Sequence, residues 1–142
     1  MDVQPLVDRL VRPDLLRLVG TSAEYGAALE GAPPKPCIFV VGVGDDGVAQ
    51  SPVTSGAQLI TRRYGVVQCV QNVRDAAGAA AVGDFRTVRR HVLEQLTDWS
   101  PGDAFDPLQF VRGRLLDFDK GTLWWQDDFV TTFMSSRHEA WA

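Results

Sequence analysis

The stretch with the most suggestive spelling is Gly42-Val43-Gly44-Asp45-Asp46-Gly47, which matches G-x-G-x-x-G and follows an apolar run, as a dinucleotide-binding turn does. That turn works because a helix begins at the glycines and offers its free amides to a pyrophosphate. Here Gln50-Ser51-Pro52 follows, no helical period starts before residue 79, and two adjacent aspartates repel phosphate. The spelling therefore reads as a loop, and a small nucleotide-binding enzyme built on it is only a remote alternative. Asp117, Asp119, Asp127 and Asp128 gather around a hairpin and are hard-cation ligands by type. Without EF-hand spacing they are read as solvating the open end of that hairpin and discouraging edge pairing. Arg86, Arg89, Arg90 and His91 make a basic stripe on a long helix, expected to be solvated, with Arg90 and Glu94 spaced four apart for a surface pair. An acidic neighbouring subunit is the other reading of that stripe. His91 and His138 have no serine, cysteine or histidine at a telling spacing, so no triad is identifiable. Cys37 and Cys69 lie in apolar stretches, away from any metal-ligand spacing, and are expected as buried thiols, with a disulfide the second reading and a reactive nucleophile the third. No catalytic residue, cofactor or metal is predicted.

The elements that must carry these residues follow from composition and period. With 142 residues, 45% hydrophobic and 23% charged, the chain has the balance of one ordinary globular domain able to build a core without disulfides or metal. Fourteen Lys and Arg against eighteen Asp and Glu give a net charge of −4, which disfavours a surface made to neutralise many phosphates. No apolar run approaches a membrane span, and Met1-Asp2-Val3-Gln4-Pro5 does not open a secretion signal, so a soluble product without a membrane partner is expected.

Val3, Leu6, Val7 and Leu10 predict a helix over residues 3–12, stopped before Pro13. Leu15, Leu16, Leu18 and Val19, closed by Gly20, predict a small strand. Thr21 and Glu24 form a capping box for a second helix, whose buried stripe is Tyr25, Ala28 and Leu29 and whose stop is Gly31 with Pro33-Pro34. The continuous apolar run at 37–41 predicts a central strand. Residues 43–57 have no period and few large side chains, and are expected as a mobile binding loop. A long strand over 58–72 is expected to pair antiparallel with 37–41. Val82, Phe85, Val88 or Arg89, Val92, Leu96 and Trp99 mark the strongest helix. Two strand-like runs, 108–118 and 122–134, are joined by Asp119-Lys120-Gly121, a turn suited to a left-handed glycine. A polar tail occupies 135–142, apart from Trp141. The order predicts a single α+β domain, a mostly antiparallel or mixed sheet with helices on one face.

Trp124 and Trp125 are neighbours in a strand and must face opposite ways. One of them looks toward the second sheet face, where a large ring suggests a subunit contact.

The run Arg63-Tyr64-Gly65-Val66-Val67-Gln68-Cys69-Val70-Gln71-Asn72-Val73-Arg74-Asp75-Ala76-Ala77-Gly78, the long helix, and then Leu115-Leu116-Asp117-Phe118-Asp119-Lys120-Gly121-Thr122-Leu123-Trp124-Trp125-Gln126-Asp127-Asp128-Phe129 resemble the tail terminator, or tail completion, proteins of long-tailed bacteriophages and prophages. The resemblance covers nearly the whole chain. It implies a structural virion protein, found in the tail and, during assembly, in the host cytoplasm. It further implies a homohexameric ring that caps the tail tube, stops its polymerisation and meets the head connector. The implied partners are other copies of the chain, the major tail tube protein and a head completion protein, with DNA only in transit. Another head-to-tail joining or adaptor protein is the alternative. Candidate subunit or tube contacts are Trp124, Trp125, Val48, Val53, Arg86 and Arg90; candidate lumen charges are Asp45, Asp46, Asp117 and Asp119. Six copies would carry a formal charge of about −24, which would let DNA slide without sticking.

Overall fold

Apolar residues at successive positions build the middle of the sheet and fill a core on each side of it, because alternate strand residues point to opposite faces. In a computed structural model, residues 1–48, 56–71, 78–119 and 121–142 are described, the side chains of 78–84 and 119 excepted. The elements are α1 (Gln4–Leu10), β1 (Leu18–Gly20), α2 (Ser22–Glu30), β2 (Cys37–Gly47), β3 (Leu59–Gln71), α3 (Gly78–Leu96), β4 (Gln109–Asp119) and β5 (Thr122–Met134), followed by a 3-10 turn, His138–Trp141. The sheet order is β1-β2-β3-β5-β4. Among the described residues, β1 and β2 run parallel, joined through α2, and the other pairs are antiparallel. The chain is α+β with a mixed sheet, as its sequence predicts.

Ile38 and Val40 of β2, Tyr64, Val66 and Val70 of β3 and Phe129 of β5 pack with Leu6, Val7 and Leu10 of α1 and Val88, Val92 and Leu96 of α3. This is the main core, and it takes the face that the helical periods of α1 and α3 require. The opposite parity, Cys37, Phe39, Val67 and Cys69, packs with Ala28, Tyr25 and Trp124. α2 therefore lies on the reverse face, over the β1–β3 end. Its start is tied by the Thr21 amide donating to Glu24 Oε2 at 2.9 Å, and the hydrogen bonds from Thr21 hold the Glu24 carboxyl below its usual range. Cys37 and Cys69 are register partners, free and buried. The hydrogen bond between them, together with burial, pushes the Cys37 thiol up, away from reactivity.

The helices therefore do not share one face as expected, since α2 covers the side opposite α1 and α3, and Leu29, expected in the buried stripe of α2, is exposed. Three further expectations change. The strand predicted to stop at Val41 continues to Gly47, so Gly42–Gly47 is neither loop nor helix start but strand, bulged between Gly42 and Gly44. Asp45 opposite Arg62 gives that polar half of the hairpin its own charge pair. Second, Asp127 and Asp128 do not solvate the hairpin's open end: they stand opposite Gly113 and Arg112, well inside the ladder, and both are buried. Third, the basic stripe is not uniformly solvated. His91 is buried with Nε2 2.8 Å from the Leu10 carbonyl, which ties α3 to α1, while Arg89 turns to Asp127. The expected Arg90–Glu94 pair is not among the ion pairs of the described residues. The turn before β5 does use a left-handed glycine, Gly121, at φ 79°. Most of the 43–57 stretch that remained as loop, with Val53, lies outside the described residues.

Candidate functional site

Of the buried charges in the described sheet, Asp127 and Arg62 organise the most contacts. Asp127 shares its parity with Trp125 and Phe129, so its side chain points into the α3 side of the sheet. There Oδ2 accepts from Gln68 Nε2 at 2.7 Å, Oδ1 accepts from Trp125 Nε1 at 3.0 Å, and Arg89 reaches both oxygens at 3.1–3.2 Å. Arg89 also lies over the Trp125 ring, 5.1 Å from its centroid. One carboxylate thus joins β3, β5 and α3. Gly113 of β4 passes close by. A Cβ there would fall 2.5 Å from Asp127 Oδ1 and 2.8 Å from the Trp125 ring. Gly113→Ala is therefore expected to destabilise the fold by about 1–3 kcal/mol through overpacking, read as a lower urea midpoint at unchanged m-value. On the reverse face Asp128 accepts from Arg112 Nε at 3.0 Å and from Gln126 Nε2 at 2.7 Å.

Arg62 is the second hub. Its side chain is 3% exposed and makes a fork onto Asp45, Nε to Oδ1 at 2.8 Å and a terminal nitrogen to Oδ2 at 2.9 Å. The other nitrogen donates to the Ala140 carbonyl at 2.8 Å. Phe133 and Trp141 stand 4.8 and 6.0 Å from the guanidinium carbon. The bond to Asp45 raises the Arg62 pKa against the opposing effect of burial. Beside it, burial pushes the Tyr64 phenol up. A bidentate, ring-stacked arginine is the geometry in which this cation survives desolvation. It fixes the carboxyl-terminal turn onto the β2–β3 hairpin.

The candidate residues fall in several places. Trp124 and Trp125 do face opposite ways: Trp124 stacks with Phe39 and touches Tyr25, while Trp125 meets Phe85 edge-on. Both rings are half-buried. Arg86 and Arg90 are exposed and, with Phe85, Arg89, Leu93 and Glu94, line a cleft along α3. Val48 is 71% exposed. Asp46 and Asp117 are exposed, Asp45 is tied to Arg62, and the Asp119 backbone stands opposite Thr122. The structure brings Asp45 and Asp46 to one edge of the sheet and Asp117 and Asp119 to the other; the two sets do not meet.

Sequence reasoning missed Arg62, Arg112 and the apolar outer edge of β4, where Val111, Leu115 and Leu116 are exposed. The signal for Arg62 was present: Ile60, Arg62, Tyr64 and Val66 share one parity, so Arg62 had to point at the core.

Fold and site are those of an α+β domain that uses buried charges to fasten its strands and leaves apolar residues exposed along β4. The chain belongs to the phage tail terminator protein family, whose model matches residues 1–139. It is a structural protein of a phage-type tail and a virion component. It is also similar to a chain of the structure titled "Virion of native gene transfer agent (GTA) particle", at 15% identity and a TM-score of 0.47, covering 82% of this chain and 78% of that one. No curated protein matches the sequence. No helix among the described residues is long and apolar enough to cross a membrane.

Proposed function

We propose that the chain forms a closed homohexameric ring on the head-proximal end of the tail tube, where it stops tube growth and presents the surface that the head completion protein binds. The observation that carries this reading is membership of the tail terminator family over residues 1–139. The exposed apolar positions on β4 and at Val43 and Val48 support it, because a subunit buries such surface against neighbours. Arg86 and Arg90 on α3 and the outer rims of Trp124 and Trp125 are the further contact candidates. In this reading Asp117 and Asp119 are the main lumen charges, while Asp45 contributes less because Arg62 neutralises it, and Asp46 contributes less where an arginine of the neighbouring copy pairs with it. DNA passes through the lumen and is repelled from its wall. Assembly takes place in the host cytoplasm before the tail joins the head.

The purified chain is expected to shift from monomer to a mass of six subunits across a concentration series in light scattering, and to cap isolated tail tubes so that they no longer elongate. A chain that stays monomeric alone and with tubes, and leaves tube length uncontrolled, would overturn the reading.

A further inference from the structure

The two ends of the sheet are both unfinished. At one end, β4 has eleven residues and, among the described residues, no strand beyond it. At the other, β1 covers β2 only from Cys37 to Phe39. Among the described residues, the stretch 40–47 of β2 has no strand on its outer side. Unpaired amides and carbonyls along such edges are templates for another strand. We propose that β4 of one copy seats antiparallel on the outer edge of β2 of the next copy, so that the subunits of the ring are joined strand to strand; this rests on the ring reading above.

Direction, charge and apolar character agree. β2 is antiparallel to β3, β3 to β5 and β5 to β4, so β2 and β4 point oppositely within one sheet. Rotation about an axis along the strands preserves those directions, so β4 meets the next β2 antiparallel, the better-bonded arrangement. The contact is head-to-tail, the kind that closes into a ring. β4 brings Arg112, 53% exposed at its side chain, and exposed Arg114. β2 brings exposed Asp46. Arg112 lies on the reverse face with Asp128, and Asp46 shares that face, since its neighbour Asp45 points to Arg62 on the other. A register that places Arg112 opposite Asp46 also sets Leu115 beside Val43, both of them exposed apolar residues in the single chain. Bulges in both strands, at Gly42/Gly44, Phe110/Arg112 and Leu115/Asp117, add the bend that a closing sheet needs.

The test is a chain carrying Leu115→Cys together with Val43→Cys, mildly oxidised at concentrations where light scattering reports assembly. The native thiols Cys37 and Cys69 are buried and do not compete. The expected result is a ladder of disulfide-linked multimers on a non-reducing gel, absent from either single variant, since only facing positions meet disulfide geometry. In parallel, Leu115→Lys is expected to raise the concentration for assembly at least about tenfold with an unchanged melting temperature. Assembly without a ladder, with Leu115→Lys assembling like the unaltered chain, would overturn edge pairing and leave the ring reading standing. A chain that is monomeric throughout and forms no ladder would overturn both.

Discussion

Asp127→Ala is expected to lower the stability of the subunit by about 3–5 kcal/mol, the usual loss when one partner of a buried ion pair is removed. The carboxylate is 0% exposed and takes hydrogen bonds from three side chains. Its removal leaves Arg89, only 31% exposed at its side chain, without a counter-charge, and leaves the Gln68 amide and the Trp125 indole without an acceptor. Each orphaned donor costs on the order of 1–3 kcal/mol, although losses within one network do not add. For a chain of this length the melting temperature should fall by roughly 6–20 °C. Asp127→Asn should lie between, because it keeps the shape and one acceptor while losing the charge. Thermal melting with urea titration reads both variants. A loss below about 1 kcal/mol for Asp127→Ala would mean that water replaces the carboxylate and that the network does not hold α3 to the sheet.

The second large effect belongs to Arg62. Arg62→Met keeps the stem against Phe133 and removes the fork to Asp45 and the bond to the Ala140 carbonyl. A loss of about 2–4 kcal/mol is expected, less than for Asp127 because Asp45, 27% exposed, can return to water. The effect should be uneven over the fold. Hydrogen exchange at the 3-10 turn His138–Trp141 should accelerate more than exchange in the middle of β3, since the turn loses its anchor while the middle of β3 keeps the backbone bonds of both neighbouring strands. Arg62→Lys should recover little, because a point ammonium cannot bond both Asp45 oxygens and the Ala140 carbonyl in one plane. Equal acceleration in turn and strand would show that Arg62 supports the whole sheet and not the tail. Arg12→Ala, which breaks an exposed pair with Asp14, should stay within about 0.5 kcal/mol and serves as the control.

Regular elements were legible where period and chain punctuation agree. The apolar period of α3, the left-handed Gly121 and the run 122–134 each specify one local conformation, and β5 spans Thr122–Met134. The far half of β2 was not legible, because Gly42-Val43-Gly44-Asp45-Asp46-Gly47 has neither alternation nor β-branched density. Its pairing is settled by Arg62 on another strand, which is tertiary information. Asp127 and Asp128 misled for the same reason: an aspartate pair near a hairpin looks solvated until Arg89 and Arg112, 38 and 16 residues away, are placed against it. Parity alone could have flagged Asp127, which stands between Trp125 and Phe129 on one face. The family, carried by phrasing along the whole chain, was legible earlier than any single contact.

The three-residue length of β1 against the eleven of β2 leaves a step on that side of the sheet. In the proposed ring, a strand sliding along β2 toward Cys37 would run into Gly20 and could go no further. The step therefore works as an end-stop that sets how far one copy may be displaced along the axis relative to the next. Zero displacement closes a circle and a constant non-zero one winds an open filament. A short first strand is thus a means of choosing the circle, and lengthening it by a few paired residues should turn a cap into something that keeps growing.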